Sequence, residues 1–462
     1  MKFTTMLDLI VKTLNKSSDT QIDVCVTSKM ANQIELWTAL FENRPWWVDN
    51  KKVFGMNLPS SISSEFSRLV TLELESEVIG SPRADYLNEQ YKSVLNDLRR
   101  NVQLACAKGG MVFKPYVTQK GISVQHVQAD CFFPISFDGS GHMTQCVFAE
   151  QVRRGKKIYT RLEMHEMKGE HLHITNKAFV STNDYSLGVP APLEAVDRWS
   201  KLSPGAVYEG VDRLPFGYLR IPSVNAEDTN SPLGTSVYAQ AVDSIRVADK
   251  RYSQIDWEYD AKEAAVHIAD SLLKYDKTRD AYEYPGGKER LYRSVEYNSG
   301  AKDKPLLDTY SPDIRDESYY RGLDKQLKLI EFQCNLAYGT ISDPQNVDKT
   351  AEEIKASKQR SYTAVSEIQK ATQAALEDLV RAMDFYTTIY NLAPIGTYEM
   401  NFRWDDSIVV DKEKELLSMQ QDAVSGMIRK ELYIAKKYGV TEEEALKMIP
   451  AQPKGFPDDE CF

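Results

Sequence analysis

Hydrophobic and polar residues alternate with a helical period through most of the C-terminal half of the chain. The longest such stretch is residues 350–391, and no proline or glycine follows before Pro394. Thr350 with Glu353 has the spacing of a capping box, in which each side chain bonds the other residue's backbone N–H. The pattern predicts one long helix, about 60 Å in length at 1.5 Å per residue.

Two further helical segments precede the long one and flank residues 263–312. Each places apolar side chains at steps of three and four, which indicates one buried stripe. The intervening residues contain the strand-like pieces AAVHIA and RLYRSV. We therefore predict an antiparallel helix pair with a small β-containing insertion at its far end. The stripes consist of Val237, Ala241, Ile245, Ala248, Tyr252, Ile255 and Tyr259 in 235–262, and of Tyr320, Leu323, Leu327, Ile330, Cys334 and Ala337 in 313–337.

A polar segment, residues 338–349, separates this helix pair from the long helix. It is longer than a simple connection between two packed helices needs to be. Gly339 and Pro344 favour an irregular backbone there.

The N-terminal half changes period once. Residues 1–110 are predicted to be mainly helical, whereas residues 111–180 alternate with a period of two and predict an antiparallel sheet. Asp138-Gly139 and Lys168-Gly169 stand where hairpin turns are expected. The predicted helices are 28–42, 61–79 and 84–108, and the last of them ends at Gly109-Gly110. An exposed connection is expected at 46–57 and a proline-rich loop region at 181–234. Toward the C-terminus we predict a strand at 398–404 and two short helices within 411–449.

Composition limits the functions open to the chain. Its net charge of −10 disfavours tight static binding to nucleic acid phosphates, although DNA could still pass without sticking. The six cysteines form no CxxC pair, which favours free thiols in a reducing compartment. No apolar run approaches the length of a membrane span. We expect a soluble protein made in the cytoplasm, with an α+β, mainly helical fold.

In this order and spacing, seven short stretches resemble the portal proteins of tailed bacteriophages, in particular those of phages that infect Gram-positive bacteria. The resemblance covers nearly the whole chain. Singly the stretches are weak, but together they are specific. They are Gly109–Tyr116, Gln128–Ile135, Tyr159–His165, Ser231–Tyr238, Tyr310–Arg315, Gly339–Ser342 and Lys349–Ile354.

The resemblance implies a portal fold, with an α/β wing, a two-helix stem, a small clip, a long wing helix and a short helical crown. On this chain the wing corresponds to residues 1–234, and the antiparallel sheet lies within it. The remaining parts are stem helix 1 (235–262), the clip (263–312), stem helix 2 (313–337), the tunnel loop (338–349), the long wing helix with the following strand (350–411) and the crown (412–462).

The resemblance also implies a function. A portal forms a ring of about twelve copies at one capsid vertex. The ring conducts double-stranded DNA during packaging and ejection, and it docks the terminase and the head-completion or adaptor protein. Further implied partners are the major capsid and scaffolding proteins, and the location is the virion, with the host cytoplasm during assembly. The implied DNA-facing residues are Asp343, Gln345, Asn346, Asp348 and Lys349; those implied for clip contacts are Lys274, Lys277, Arg279, Lys288 and Arg290.

Two other functions compete with this interpretation. His165-Glu166 with His171 and His173 invites a metal-dependent hydrolase, but the spacing is not HExxH, and the plain hairpin is favoured. A helical scaffold or adaptor that conducts no DNA is also compatible with the long helices. We expect no catalytic, cofactor or metal site. For Trp37, Trp46 and Trp47 we favour packing over an anchor for a partner protein. For Glu258, Asp260 and Glu263 we favour a solvated helix face over a divalent-ion site.

Overall fold

Amphipathic helices form most of the first hundred residues, as predicted, and a computed structural model gives their positions. They are α1 (Phe3–Asn15), α2 (Ser28–Phe41), α3 (Leu58–Thr71), α4 (Pro82–Asn96) and α5 (Leu98–Lys108). The structure describes residues 1–15, 24–72, 74–229, 231–269, 272–278, 280–283, 291–295, 307–343, 351–404, 412–438 and 441–449.

Two of the predicted helices in this region are wrong in extent. Residues 74–79 belong to a strand, β1 (Leu74–Gly80), which pairs with a strand near the other end of the chain, β16 (Tyr398–Trp404). The segment 84–108 is two helices, because the chain turns at Asp97 between α4 and α5. The stop after α5 is confirmed: Gly109 has φ of 90°, a left-handed conformation that suits glycine.

The predicted antiparallel strands are confirmed, but they divide between two sheets. A three-stranded sheet has the order β10–β2–β3, and a six-stranded sheet has the order β4–β5–β6–β7–β8, with β9 also paired to β7. Both predicted hairpin turns connect adjacent strands. The strands are β2 (Gly110–Thr118), β3 (Gly121–Gln128), β4 (Phe132–Phe137), β5 (Met143–Arg154), β6 (Lys157–Lys168), β7 (His171–Ser181), β8 (Val189–Ala191), β9 (Gly205–Glu209) and β10 (Gly217–Arg220).

Both faces of the six-stranded sheet take part in packing. One face meets α1, where Phe3 stacks on Phe133 at 4.5 Å between ring centroids and where Ile10 and Leu14 face Leu162. The other face contributes to a core that includes residues of β2 and of the segment before β10. That core comprises Val112, Val127, Phe132, Cys146, Phe148, Leu172, Val211, Leu214 and Phe216.

The long helix is confirmed to within two residues at each end as α8 (Ala351–Ile389). It packs closely on β10, because Gly217 has no side chain. A Cβ atom added to Gly217 would overlap the carbonyl oxygen of Ala375 in the helix. The predicted capping box lies outside what the structure describes, because neither Thr350 nor the side chain of Glu353 is among the described parts.

One buried arginine joins α4 to the C-terminal end of α8. Arg83 is 2% exposed; its Nε donates to Asp384 Oδ1 at 2.6 Å, and its Nη1 donates to the carbonyl oxygen of Ala393 at 3.0 Å. Its Nη2 donates to the Thr388 hydroxyl and to the Asp384 carbonyl. A cation placed there also interacts favourably with the negative end of the helix dipole.

The predicted helix pair is α6 (Val242–Ala261) and α7 (Asp316–Gln333), both shorter than expected. The first begins later because residues 239–241 form a 3-10 turn. Between the helices, β11 (Ala265–Ala269) pairs in parallel with β14 (Tyr292–Val295) and antiparallel with β15 (Leu307–Tyr310). A separate hairpin joins β12 (Lys274–Asp276) to β13 (Ala281–Glu283).

A second compact unit contains Glu73–Glu75 and Arg403–Phe462. Its described part holds three helices where two were predicted: α9 (Lys412–Val424), α10 (Lys430–Tyr438) and α11 (Glu442–Met448). The middle helix packs against both others. Thr441 and Glu444 form a capping box at the start of α11.

Candidate functional site

The helix pair is antiparallel, as its spacing predicted. Gln326 Nε2 donates to the carbonyl oxygen of Ser244 at 3.3 Å, close to the start of α6. Toward the far end, Arg315 Nη2 lies 2.9 Å from Glu258 Oε2. The start of α6 therefore lies beside the later part of α7, and the end of α6 lies beside the start of α7. The strands β11 to β15 connect the end of α6 to the start of α7.

Glu258 does not belong to a solvated face, contrary to expectation. The residue is 1% exposed, and its carboxylate accepts two hydrogen bonds from Arg315. The hydrogen bond from Arg315 lowers the pKa of Glu258 below its ordinary value. This ion pair joins the end of α6 to the start of α7.

A hydrogen-bonded network holds the segment that follows α7. Glu331, in the last turn of that helix, is 0% exposed. Its carboxylate accepts from the backbone N–H of Ile341 at 2.7 Å, of Ser342 at 2.9 Å and of Gly339 at 3.3 Å. The Ser342 hydroxyl donates to the same carboxylate at 2.9 Å. Sequence analysis missed Glu331, whose only signal is a carboxylate between the apolar Ile330 and Phe332.

The same segment is tied to α8 and to the preceding turn of α7. Tyr338 N–H donates to Ser357 Oγ at 2.8 Å, and the Arg360 guanidinium lies over the rings of Phe332 and Tyr338, 4.6 and 5.6 Å from their centroids. At the other end, Asp343 N–H donates to Asp324 Oδ1 at 3.0 Å. Residues 338–343 are therefore bonded to both neighbouring helices.

Asp343 is the only predicted DNA-facing residue within the described part of the chain, and it is exposed. Gln345, Asn346, Asp348 and Lys349 lie outside the described residues. Of the predicted clip contacts, Lys274 and Lys277 are exposed, and the Lys274 side chain is 3.8 Å from Glu283 Oε2 across the hairpin. Arg279, Lys288 and Arg290 lie outside the described residues.

The predicted hairpin at Lys168-Gly169 is present, and it separates the histidines that invited a metal interpretation. Glu166 pairs with His173, whereas His165 pairs with Ile174 on the neighbouring strand. Because side chains alternate between the faces of a sheet, His165 faces away from His171 and His173. In the portion of the chain that the structure describes, no three metal-binding side chains group together.

His165 instead belongs to a buried charged cluster on the inner face of the six-stranded sheet. Its Nε2 is 2.8 Å from Glu163 Oε1, and Lys114 Nζ is 2.7 Å from Glu163 Oε2. Arg161 lies 2.9 Å from Glu163 and 3.0 Å from Glu150. Opposite charges are thus paired in a largely buried site, where Glu163 is 11% and Glu150 is 23% exposed.

These contacts shift two pKa values. Burial by itself would raise the pKa of Glu163, but Lys114, His165 and Arg161 lower it well below its usual range. Burial lowers the pKa of His165, although Glu163 opposes that effect. The imidazole is therefore neutral at neutral pH.

The tryptophans behave differently from one another. Trp37 is buried at 0% exposure, as predicted, whereas Trp46 is 75% exposed, so its predicted packing role is wrong. Trp47 donates from Nε1 to Asp249 Oδ2 at 2.9 Å, and Met56 N–H donates to Asp249 Oδ1 at 2.8 Å. These bonds attach the connection at 46–57 to α6.

Both helices of the pair carry large apolar side chains that the chain itself leaves exposed. On α6 the Trp257 side chain is 63% exposed, and Tyr252 and Tyr259 are 43% and 42% exposed. On α7 Tyr320 and Phe332 are 51% and 52% exposed. The predicted apolar stripe is thus only partly buried: Tyr252 and Tyr259 face outward. No described helix is long and apolar enough to cross a membrane.

Comparison with known proteins agrees with the resemblance in the sequence. The family described as "Phage portal protein, SPP1 Gp6-like" matches residues 76–452. No curated protein matches significantly. A solved structure, "Neck of native GTA particle computed with C12 symmetry", is 10% identical, with a TM-score of 0.40, over 83% of this chain and 91% of that one. The extent of the family match shows that the chain belongs to the SPP1 Gp6-like family of phage portal proteins.

Proposed function

We propose that this portal protein forms a ring of about twelve copies at one capsid vertex. The ring conducts double-stranded DNA into the head and out again, and it docks the terminase and then the head-completion or adaptor protein. The observation that carries the proposal is the antiparallel pair α6 and α7, which has a small strand module at one end and an anchored polar segment at the other.

We assign the parts of the portal fold accordingly. Residues 1–234 form the wing, 235–262 and 313–337 the stem, and 263–312 the clip. Residues 338–349 form the tunnel loop, 350–411 the long wing helix with its strand, and 412–462 the crown. The family is structural, and we expect no catalytic activity, cofactor or metal. We expect contacts with the major capsid and scaffolding proteins during assembly in the host cytoplasm.

The exposed aromatic side chains of α6 and α7 support assembly into a ring. Monomeric proteins rarely leave several large apolar side chains exposed on neighbouring elements, and such surfaces usually mark contacts with other chains. The overall charge of −10 supports a conduit, because an acidic bore holds DNA phosphates weakly.

Native mass measurement and electron microscopy of the purified protein test the ring. We expect closed rings of about twelve subunits with a hole wide enough for duplex DNA. A compact monomer, or a ring in which residues 338–343 point away from the hole, would contradict the proposal.

The loop and clip assignments need separate tests. Replacing Lys349 by glutamate should impair DNA retention or packaging while rings still assemble. Reversing the charges of Lys274 and Lys277 should weaken docking of the terminase or adaptor and leave ring closure intact. Normal DNA-filled heads in the first case, or unchanged docking in the second, would move these functions to other residues.

A further inference from the structure

We propose that Glu331 is the positioning residue for the base of the tunnel loop, defined here as residues 337–343. The carboxylate fixes three backbone N–H groups and one hydroxyl of this short stretch, so it sets where the loop leaves α7. The link to DNA rests on the proposed function; the anchoring itself does not.

The charge on Glu331 is compensated in an unusual way. Among the described residues no lysine, arginine or histidine lies within ion-pair distance of it, and the residue is 0% exposed. All four of its hydrogen-bond partners are neutral donors from Gly339, Ile341 and Ser342. A buried carboxylate is costly unless its oxygens are fully hydrogen-bonded. The carboxylate and the base of the loop therefore depend on each other.

The geometry requires a carboxylate at this position. A carboxylate has two acceptor oxygens and no donor, which matches four converging donors. Glutamine has one acceptor oxygen, and its NH₂ group would face N–H groups that also donate. The Glu331→Gln change therefore keeps the side-chain volume but leaves buried donors without acceptors.

Both ends of the loop base are also fixed independently of Glu331. Tyr338 N–H is bonded to Ser357 Oγ on α8, and Asp343 N–H to Asp324 Oδ1 on α7. The glutamate holds the stretch between these two points, where Gly339 has φ of 84° and Ser342 is 5% exposed. Its loss should therefore free the middle of the loop base while both attachment points remain.

Hydrogen–deuterium exchange on the purified full-length protein tests the anchor without DNA. In Glu331→Gln we expect peptides covering residues 337–343 to exchange several-fold faster, because the carboxamide keeps at most one of the two oxygens that accept from Gly339, Ile341 and Ser342. The matched control is Glu317→Gln, which changes an exposed carboxylate of the same helix and should leave exchange unchanged. Wild-type protection in Glu331→Gln would overturn the proposal.

Ser342→Ala serves as the milder variant if Glu331→Gln fails to fold. It removes the hydroxyl, which donates to Glu331 and accepts from Gly339 N–H at 3.3 Å, and we expect a smaller acceleration of exchange, confined to the same peptides. No acceleration in a folded Ser342→Ala protein would contradict the cooperative network.

A second measurement relates the anchor to the channel. Particles assembled with Glu331→Gln should contain rings of normal size and should retain packaged DNA several-fold less well than wild-type particles. Faster exchange with normal retention would support the anchor and contradict the DNA-facing role of the loop. Unchanged exchange would contradict the anchor whatever happens to DNA.

Discussion

Lys114 and Glu163 form a buried ion pair, with side chains 6% and 11% exposed. Lys114 also lies over the ring of Phe148, 4.6 Å from its centroid. Such a pair contributes little compared with an apolar replacement of both partners, but removal of one partner leaves a buried charge. The two residues are separated by 49 positions in the sequence, and only the strand register brings them together.

The Lys114→Met substitution should lower the free energy of unfolding by about 3 kcal/mol, because Glu163 would keep only Arg161 and His165 as partners. Denaturant unfolding measures the loss. Lys168→Met is the control: it removes an exposed lysine from an ion pair with Glu166, which should change stability by about 0.5 kcal/mol or less. Equal effects of the two substitutions would contradict a buried cluster.

His165 makes the stability of the protein depend on pH. Its pKa is lowered in the folded state, so below about pH 6.5 the unfolded chain binds a proton that the folded chain does not. The free energy of unfolding should therefore fall as the pH drops from 7 toward the folded-state pKa.

Replacing His165 by glutamine should flatten the pH dependence between about pH 7 and 5. Unfolding free energies measured across this range test it. Some slope should remain from His126, whose pKa burial also lowers. Glu163 affects stability only at lower pH. Its carboxylate pKa is depressed in the folded state, so its protonation reduces stability only below the unfolded-state pKa of about 4.3. An unchanged slope would mean that His165 titrates normally.

Among the elements, the long helix and the hairpins could be predicted from the sequence because their signals are local. Period, capping spacing and turn pairs all lie within a few residues of one another. The pattern at β1 resembles a helix, and it gives no strand at β8, β9 or β10. β1 and β10 pair with β16 and β2, which lie far away in the sequence, whereas β8 and β9 lie in the proline-rich segment 181–234.

The candidate site was less predictable for the same reason. The position of the segment at 338–349 follows from the helices on either side of it, whereas its anchor depends on a single side chain, Glu331. Nothing in the local pattern distinguishes that carboxylate from the exposed ones on the same helix. Burial, which the sequence does not contain, makes the difference.

The close approach of α8 to β10 gives a prediction at the scale of elements. Gly217→Ala should destabilise the protein by about 3 kcal/mol or more, because the added Cβ would meet backbone rather than a movable side chain. Overpacking typically costs roughly 1–3 kcal/mol, so this effect should lie at or beyond the upper end of that range. Thermal unfolding measures the change. Gly205→Ala in β9 is the control, since its nearest neighbour would be 3.7 Å from the Cβ.

At the scale of the whole molecule, the proposed ring depends on surfaces that one subunit leaves open. Trp257 is the most exposed aromatic side chain of α6. Tyr320 is among the most exposed apolar side chains of α7. Buried in a contact between neighbouring subunits, each would stabilise the ring by roughly 1.5–3 kcal/mol. Because the same contact repeats at every subunit interface of a closed ring, one substitution weakens all of these interfaces.

Trp257→Asp should therefore shift the protein from rings to smaller species while the subunit stays folded. Light scattering coupled to size exclusion gives the mass, and circular dichroism reports the fold. Val224→Asp is the matched control, because Val224 is 80% exposed on a loop outside the helix pair and its replacement should leave ring size unchanged. Intact rings of Trp257→Asp would place the subunit contact elsewhere.

The attachment of Arg83 to Asp384 and Ala393 has a consequence for biosynthesis. Three hundred residues must leave the ribosome after Arg83 before its acceptors exist, and β1 likewise waits for β16. Contacts this distant in sequence form late and slow folding. Ribosome-bound chains that end before residue 384 should remain sensitive to protease in α4, and chains long enough for residue 404 to have left the ribosome should become resistant. The N-terminal half of the fold would therefore be completed only after these late residues have emerged.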